Sequence, residues 1–130
     1  MKKFAMLLGA AASAAALLPL GAHAAGCASP RNAFDQVYCS GNLFSQTDRD
    51  LNQEYSRLRT HLNSSQQAVL KSGQLAWIRQ RDEQCSEQKA NGYFVNLTCA
   101  VHLTQARLDF LKERERECNS TGCVDAKLGQ

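Results

Sequence analysis

No C-x-x-C pair occurs in this 130-residue chain, although six of its residues are cysteine. The usual signature of a thiol–disulfide oxidoreductase is therefore missing. An excess of one charge is missing too, with 15 Lys and Arg against 12 Asp and Glu. That near balance excludes the basic stripe of a nucleic-acid binder and broad electrostatic steering. Past residue 25 there is no long apolar run, no internal repeat and no window that alternates with period two. The lack of alternation, together with sparse β-branched residues, argues against strands. Histidine is scarce: after the N-terminal segment only His61 and His102 remain. Neither has a nucleophile or carboxylate at a telling spacing, so no histidine-based active site assembles.

What is present begins with an apolar, alanine-rich leader. "MKK" is followed by "FAMLLGAAASAAALLPLGAHA", which closes on Ala22-His23-Ala24. This reads as a bacterial secretory signal peptide over residues 1–24, cleaved after Ala24. Pro19, Gly21 and the many small residues suit a cleaved segment better than a stable membrane span. "AAGC" faintly resembles a lipoprotein signal, with Cys27 as the acylated residue. However, Ala24 stands where a large aliphatic residue is usual, and acylation would leave an odd number of cysteines in an oxidising compartment. The expected location is periplasmic or secreted. Without Lys2 and Lys3 the formal charge falls from +3 to +1. The 106 residues after Ala24 form one small domain, for which covalent staples would supplement a limited core.

Hydrophobic spacing predicts an all-α fold, a small disulfide-stapled bundle of three long helices plus one short N-terminal helix. Ser29-Pro30 reads as a cap and first turn of the short helix, running to about Tyr38 and broken by "CSGN". Leu43, Phe44, Asp48, Leu51, Tyr55, Leu58 and Leu62 then recur in steps suited to one helical stripe. Ser64 can cap the second long helix, which carries Val69, Leu70, Gly73, Ala76, Trp77, Ile78 and Arg81 towards Cys85. "KANGYF" reads as a turn. Leu97, Val101, Thr104, Leu108 and Leu111 mark the third long helix. The organisation expected is a helical domain over 25–118 and a C-terminal tail over 119–130 with a small disulfide-closed ring.

Short turns make the three long helices run up, down and up. Cys39, Cys85 and Cys99 then belong at one end. Cys118 lies about 28 Å further along a helix rising 1.5 Å per residue, with Cys123 close by. Because a disulfide needs Cα atoms within about 7 Å, geometry favours Cys85–Cys99 and Cys118–Cys123, leaving Cys27–Cys39. A zinc site of Cys85, Cys99 and His102 is the competing reading, but an exported chain with an even cysteine count favours disulfides. No metal or cofactor is expected. Asp82-Glu83 and the series Glu113, Glu115, Glu117, interleaved with Arg114 and Arg116, read as a solvated helix face rather than paired catalytic carboxylates. The chain is not expected to be an enzyme.

"QLAWIRQRDEQC" (74–85) concentrates uncommon residues, among them the single tryptophan. Gln74, Trp77, Arg81 and Cys85 share a helical face, and Trp77 and Arg81 are placed to stack. Asp48, Asn52 and Tyr55 share a face of the preceding helix, where Asp48 could meet Arg81. A core anchor flanked by a register-fixing polar cluster is favoured over a Trp/Arg/Tyr surface offered to a partner.

These segments resemble a known family. Cys27-x11-Cys39, "TDRDLNQEYSRL" (47–58), "GQLAWIRQRDEQC" (73–85), and a later cysteine followed by "LTQARLDFL" (103–111) are similar to the LprI-type lysozyme inhibitors, which are small exported helical domains. The resemblance covers about residues 27–112. Its pattern falls on Cys27, Cys39, Asp48, Leu51, Asn52, Tyr55, Leu58, Gln74, Trp77, Arg81, Asp82, Cys85, Cys99 and Arg107. Two features depart from it: the loop between Cys85 and Cys99 is longer than usual, and "CNSTGC" (118–123) is an addition. The resemblance implies a protein partner, lysozyme, whose cleft works with two carboxylates. Two segments are candidates for contact with it. One is the closed ring with Asn119, Ser120 and Thr121, for which a C-terminal clip is the plainer reading. The other is the loop "SEQKANGYFVNLT" with Tyr93 and Phe94 at its tip. The rival function is an envelope adaptor or structural module without lysozyme activity.

Overall fold

A computed structural model describes residues 27–130, so the leader over 1–24 lies outside the described residues. Four helices and one hairpin follow in the order α1 (Ala33–Thr60), α2 (Ser64–Cys85), β1 (Ser86–Lys89), β2 (Gly92–Val95), α3 (Leu97–Ser120) and α4 (Asp125–Leu128). The fold is predominantly helical, as expected. The short helix, however, is at the C-terminus rather than the N-terminus.

The expected break at "CSGN" does not occur: α1 runs unbroken through Cys39–Asn42. A single glycine in a helix costs only about 1 kcal/mol relative to alanine, and Gly41 has open space around it. With no proline to remove a backbone donor, the helix continues. Its cap is Asn32, whose side chain accepts from the Asp35 backbone N–H, rather than Ser29. Asn63 likewise caps α2 in place of Ser64. Its side chain and that of Gln66 form a reciprocal capping box.

The segment expected to contain only a turn is a β-hairpin. Ser86 faces Val95 and Lys89 faces Gly92 in antiparallel register. Gly92 has φ of 135°, a conformation that disfavours any residue with a Cβ. Only four residues per strand are involved, too few for period-two alternation to stand out.

Leu51, Leu58, Leu62, Leu70, Leu108, Leu111 and Leu128 form one buried cluster, with Tyr55, Trp77 and Phe110 packed against it. The stripe on α1 is legible from Leu51 onward, whereas Leu43 at its start is exposed. Helix α1 packs chiefly along α3, and α2 against α3 and α4. His61 at the end of α1 lies 3.6 Å from Glu115 near the end of α3, so these two helices run parallel and α2 runs back between their ends.

The three disulfides are Cys27–Cys39, Cys85–Cys99 and Cys118–Cys123. Cys85 and Cys99, being joined, are not available as zinc ligands. Residues 119–130 are tied into the body. Helix α3 extends to Ser120, and Gly122 turns the chain with φ of 101°. Leu128 then enters the core at 1% exposure. Among the described residues no helix is long and apolar enough to cross a membrane.

Candidate partner-binding surface

Several residues of the sequence motif meet where the three long helices adjoin, buried at Gln74 and Arg107 and open to solvent at Asn52 and Asp82. Arg107 on α3 donates from Nε to Gln74 Oε1 on α2 at 2.9 Å, and both side chains are buried. Two guanidinium groups approach the Trp77 ring, that of Arg81 at 5.1 Å and that of Arg107 at 5.8 Å. Arg81 also reaches Asp48 on α1 at 3.8 Å, Asp82 at 2.8 Å, and the Phe44 ring at 5.5 Å. Asn52 donates to Asp48. This cluster crosses all three long helices and fixes their register through directional contacts. Burial lowers the Arg107 pKa to about 10, which still leaves it charged at neutral pH. Its Nη1 donates to the Gln130 carbonyl, so the tail supplies an acceptor to a cation that packing has removed from water. Leu51 sits in the core. Tyr55 stands apart from the cluster, beneath Arg59.

Several polar residues of the interior were not singled out by sequence patterning. Glu54 is buried to 1% exposure and pairs with Arg57. Burial pushes its carboxyl above the usual carboxylate range; a hydrogen bond with Glu115 adds to the shift, and Arg57 opposes it. Arg114 is also buried, which corrects the picture of 113–117 as a wholly solvated face. It pairs with Glu117, which accepts from Lys127 of α4 at 2.6 Å. The Lys127 hydrogen bond is the main cause holding the Glu117 carboxyl below its ordinary value. The signal for these residues was available in principle, since Glu54 and Arg114 occupy stripe positions beside Leu51, Leu58 and Leu111.

The two candidate contact segments lie at opposite ends of α3, about 36 Å apart for 24 residues at 1.5 Å rise. Near the closed ring, Cys118 and Cys123 pack against the core, and the chain beyond it turns back along α2. Gln66 there bonds to Asp125 at 2.6 Å. Asn119, Ser120 and Thr121 are exposed. The hairpin is different. Every residue from Ser86 to Val95 except Gly92 is exposed, including Tyr93 at 81% and Phe94 at 44%. A two-stranded ribbon with so little burial is marginal by itself. The Cys85–Cys99 bridge closes its base, and the Asn96 N–H donates to the Cys85 carbonyl at 2.7 Å. Lys89 lies 5.1 Å from the Phe94 ring and 3.1 Å from Glu87. The result is a held protrusion with an ammonium group, an amide and two aromatics near its tip.

A family model described as lysozyme inhibitor LprI matches residues 27–111. The chain belongs to the LprI lysozyme inhibitor family. The match contains the inter-helix cluster and the hairpin, and it ends before the closed ring and the α4 segment. No curated protein and no solved structure matches the chain.

Proposed function

We propose that this LprI-family protein is an exported inhibitor, not an enzyme, that binds lysozyme-type peptidoglycan hydrolases and blocks their cleft. Family membership supports the partner class. Three disulfides support maturation in an oxidising compartment, the periplasm or the exterior.

The observation that carries the reading is the pre-closed, almost wholly exposed hairpin. A surface segment with so little part in the core contributes little to folding. Closing it in advance lowers the ordering cost of binding. A lysozyme cleft is narrow and holds two carboxylates that flank the scissile bond. The Lys89 ammonium and the Asn91 amide at the hairpin turn are donors suited to those acids, and Tyr93 offers a flat face to the cleft wall. The closed ring is assigned the role of a clip for the tail.

Titration of the purified protein against chicken-type lysozyme in a cell-wall lysis assay tests this reading. Dose-dependent inhibition is expected. Tyr93→Ala combined with Lys89→Glu should abolish it with the helical circular dichroism unchanged, while alanine at Asn119, Ser120 and Thr121 should leave it intact. No inhibition at large molar excess would reject the reading for that lysozyme class and favour an envelope adaptor.

A further inference from the structure

Of the ten large apolar residues exposed among the described residues, seven lie in two segments, the hairpin and the first turns of α1. The two segments leave the bundle at the same end. Phe44 on α1 lines a cavity of about 390 Å³ together with Cys85 at the end of α2, Tyr93 and Val95 of β2, and Leu97 at the start of α3. Phe44 is therefore level with the base of the hairpin. Residues 33–43 of α1 extend about 16 Å beyond it at 1.5 Å per residue, as an arm. No residue of the arm is buried.

Phe34, Val37, Gly41 and Phe44 advance by three, four and three, so they form one stripe along the arm. Tyr93 and Val95, two apart on β2, turn the same side of the ribbon to the cavity that Phe44 lines. The stripe and that side of the ribbon meet there and make one apolar surface. An arm without core contacts has no packing reason to be rigid, yet the Cys27–Cys39 bridge ties the preceding segment back onto it. Cys39 lies on the opposite side of the helix from Val37, so the bridge stiffens the arm and leaves the stripe bare. At 150–250 Å² for a whole aromatic side chain, the exposed apolar residues of the hairpin offer on the order of 350 Å². A standard interface takes about 800 Å² from each partner. Phe34, Val37 and Tyr38, exposed at 88%, 62% and 68%, bring the combined surface to roughly that scale.

We propose that the arm, through Phe34 and Val37, is the second half of the surface that holds the lysozyme-type hydrolase. This rests on the reading of the protein as an inhibitor of such enzymes. The hairpin enters the partner's cleft, and the arm lies against the rim of that cleft, so that one apolar surface is covered from the stripe to the ribbon. The hairpin supplies the polar groups aimed at the catalytic acids, and the arm supplies the apolar area that the hairpin lacks.

The test measures inhibition constants against chicken-type lysozyme in the cell-wall lysis assay, with sedimentation velocity alongside. Phe34→Asp and Val37→Asp, both at exposed positions, should each raise the inhibition constant by about tenfold or more, the scale of losing an interface anchor. Helical circular dichroism should be unchanged. Gln36→Asp, on the same arm but off the stripe, should leave inhibition as it is. If both stripe variants inhibit like wild type while Tyr93→Ala with Lys89→Glu does not inhibit, the arm's role is overturned and the inhibitor reading stands. An equal loss in Gln36→Asp overturns the stripe as the contact. Absence of inhibition by the wild-type protein overturns both readings. A wild-type dimer that Val37→Asp dissociates without changing inhibition overturns the proposal in favour of a second copy of the chain on the stripe.

Discussion

Substituting alanine for Gly73 sets two opposing effects against each other. In a helix interior, Gly→Ala ordinarily stabilises by about 1 kcal/mol, and Gly73 lies in the middle of α2. A Cβ there would stand 2.9 Å from the carbonyl carbon and oxygen of Gly129 and 3.0 Å from its Cα. These are backbone atoms, so relief requires the tail itself to move. The same tail buries Leu128 at 1% exposure and gives Arg107 its acceptor at Gln130. Complete loss of a buried leucine contact costs about 2–5 kcal/mol, and a charge-assisted hydrogen bond about 1.5–3 kcal/mol. A partial shift forfeits part of each. The expected net effect of Gly73→Ala is a loss of about 1–3 kcal/mol after the helix gain is subtracted. In a chain ending at Cys123 the clash is gone, and the same substitution should stabilise by about 1 kcal/mol. Urea denaturation followed by helical circular dichroism and Trp77 fluorescence would measure both legs of this cycle. A coupling of about 2–4 kcal/mol is expected. If Gly73→Ala stabilises the intact chain, the tail is not docked as described and the reasoning fails.

Replacing Cys85 and Cys99 together with serine should cost about 3 kcal/mol on the chain-entropy scale for a loop of this length; it should also remove lysozyme inhibition first, since the bridge closes the base of the hairpin. Trp77→Ala should lower the urea midpoint through an apolar loss of about 3 kcal/mol, plus about 0.5–1 kcal/mol for each cation–π contact; inhibition per folded molecule should survive, and its loss in a fully folded variant would place Trp77 in the interface. Glu54 carries a raised carboxyl pKa, so the native state holds its proton to higher pH than the unfolded chain. Its contribution is therefore present in acid and falls as pH rises from the ordinary carboxylate range through the raised value. Glu54→Gln should flatten that decline and raise the melting temperature at neutral pH relative to wild type; a lowered neutral-pH melting temperature would contradict the burial argument.

The three long helices and the cysteine pairs were legible because apolar spacing and chain reach constrain them strongly. Leu51, Leu58, Leu70, Leu108 and Leu111 occupy the core their periodicity indicates. The Trp77–Arg81 stack and the Asp48–Arg81 pair also follow from shared faces on adjacent helices. The continuity of α1 was not legible, because Ser40, Gly41 and Asn42 are each weak helix formers. Their combined penalty is outweighed by the helix already formed on both sides and by the bridge from Cys39 to Cys27. The hairpin was hidden by its brevity. The fate of the tail was hidden for another reason. "VDAKLGQ" has one leucine and no stripe, and only the space opposite Gly73 reveals where that leucine goes.

The placement of the motif residues bears on what family membership can transmit. Leu51, Gln74 and Arg107 are buried, and Trp77 is half-buried with two arginines near its ring. Residues in such positions are constrained by packing and hydrogen-bond satisfaction before any partner arrives. A family recognised through them is therefore recognised chiefly by its scaffold, and function resides in sites added to that scaffold. In this chain the exposed addition is the hairpin between Cys85 and Cys99. The hairpin can change length and sequence with little consequence for the core, because its base is fixed covalently and none of its residues is buried. Target choice among proteins with this scaffold should then track the Cys85–Cys99 segment rather than the Gln74–Trp77–Arg81–Arg107 cluster. A chimaera that exchanges only that segment would carry its donor's target preference on an unchanged bundle.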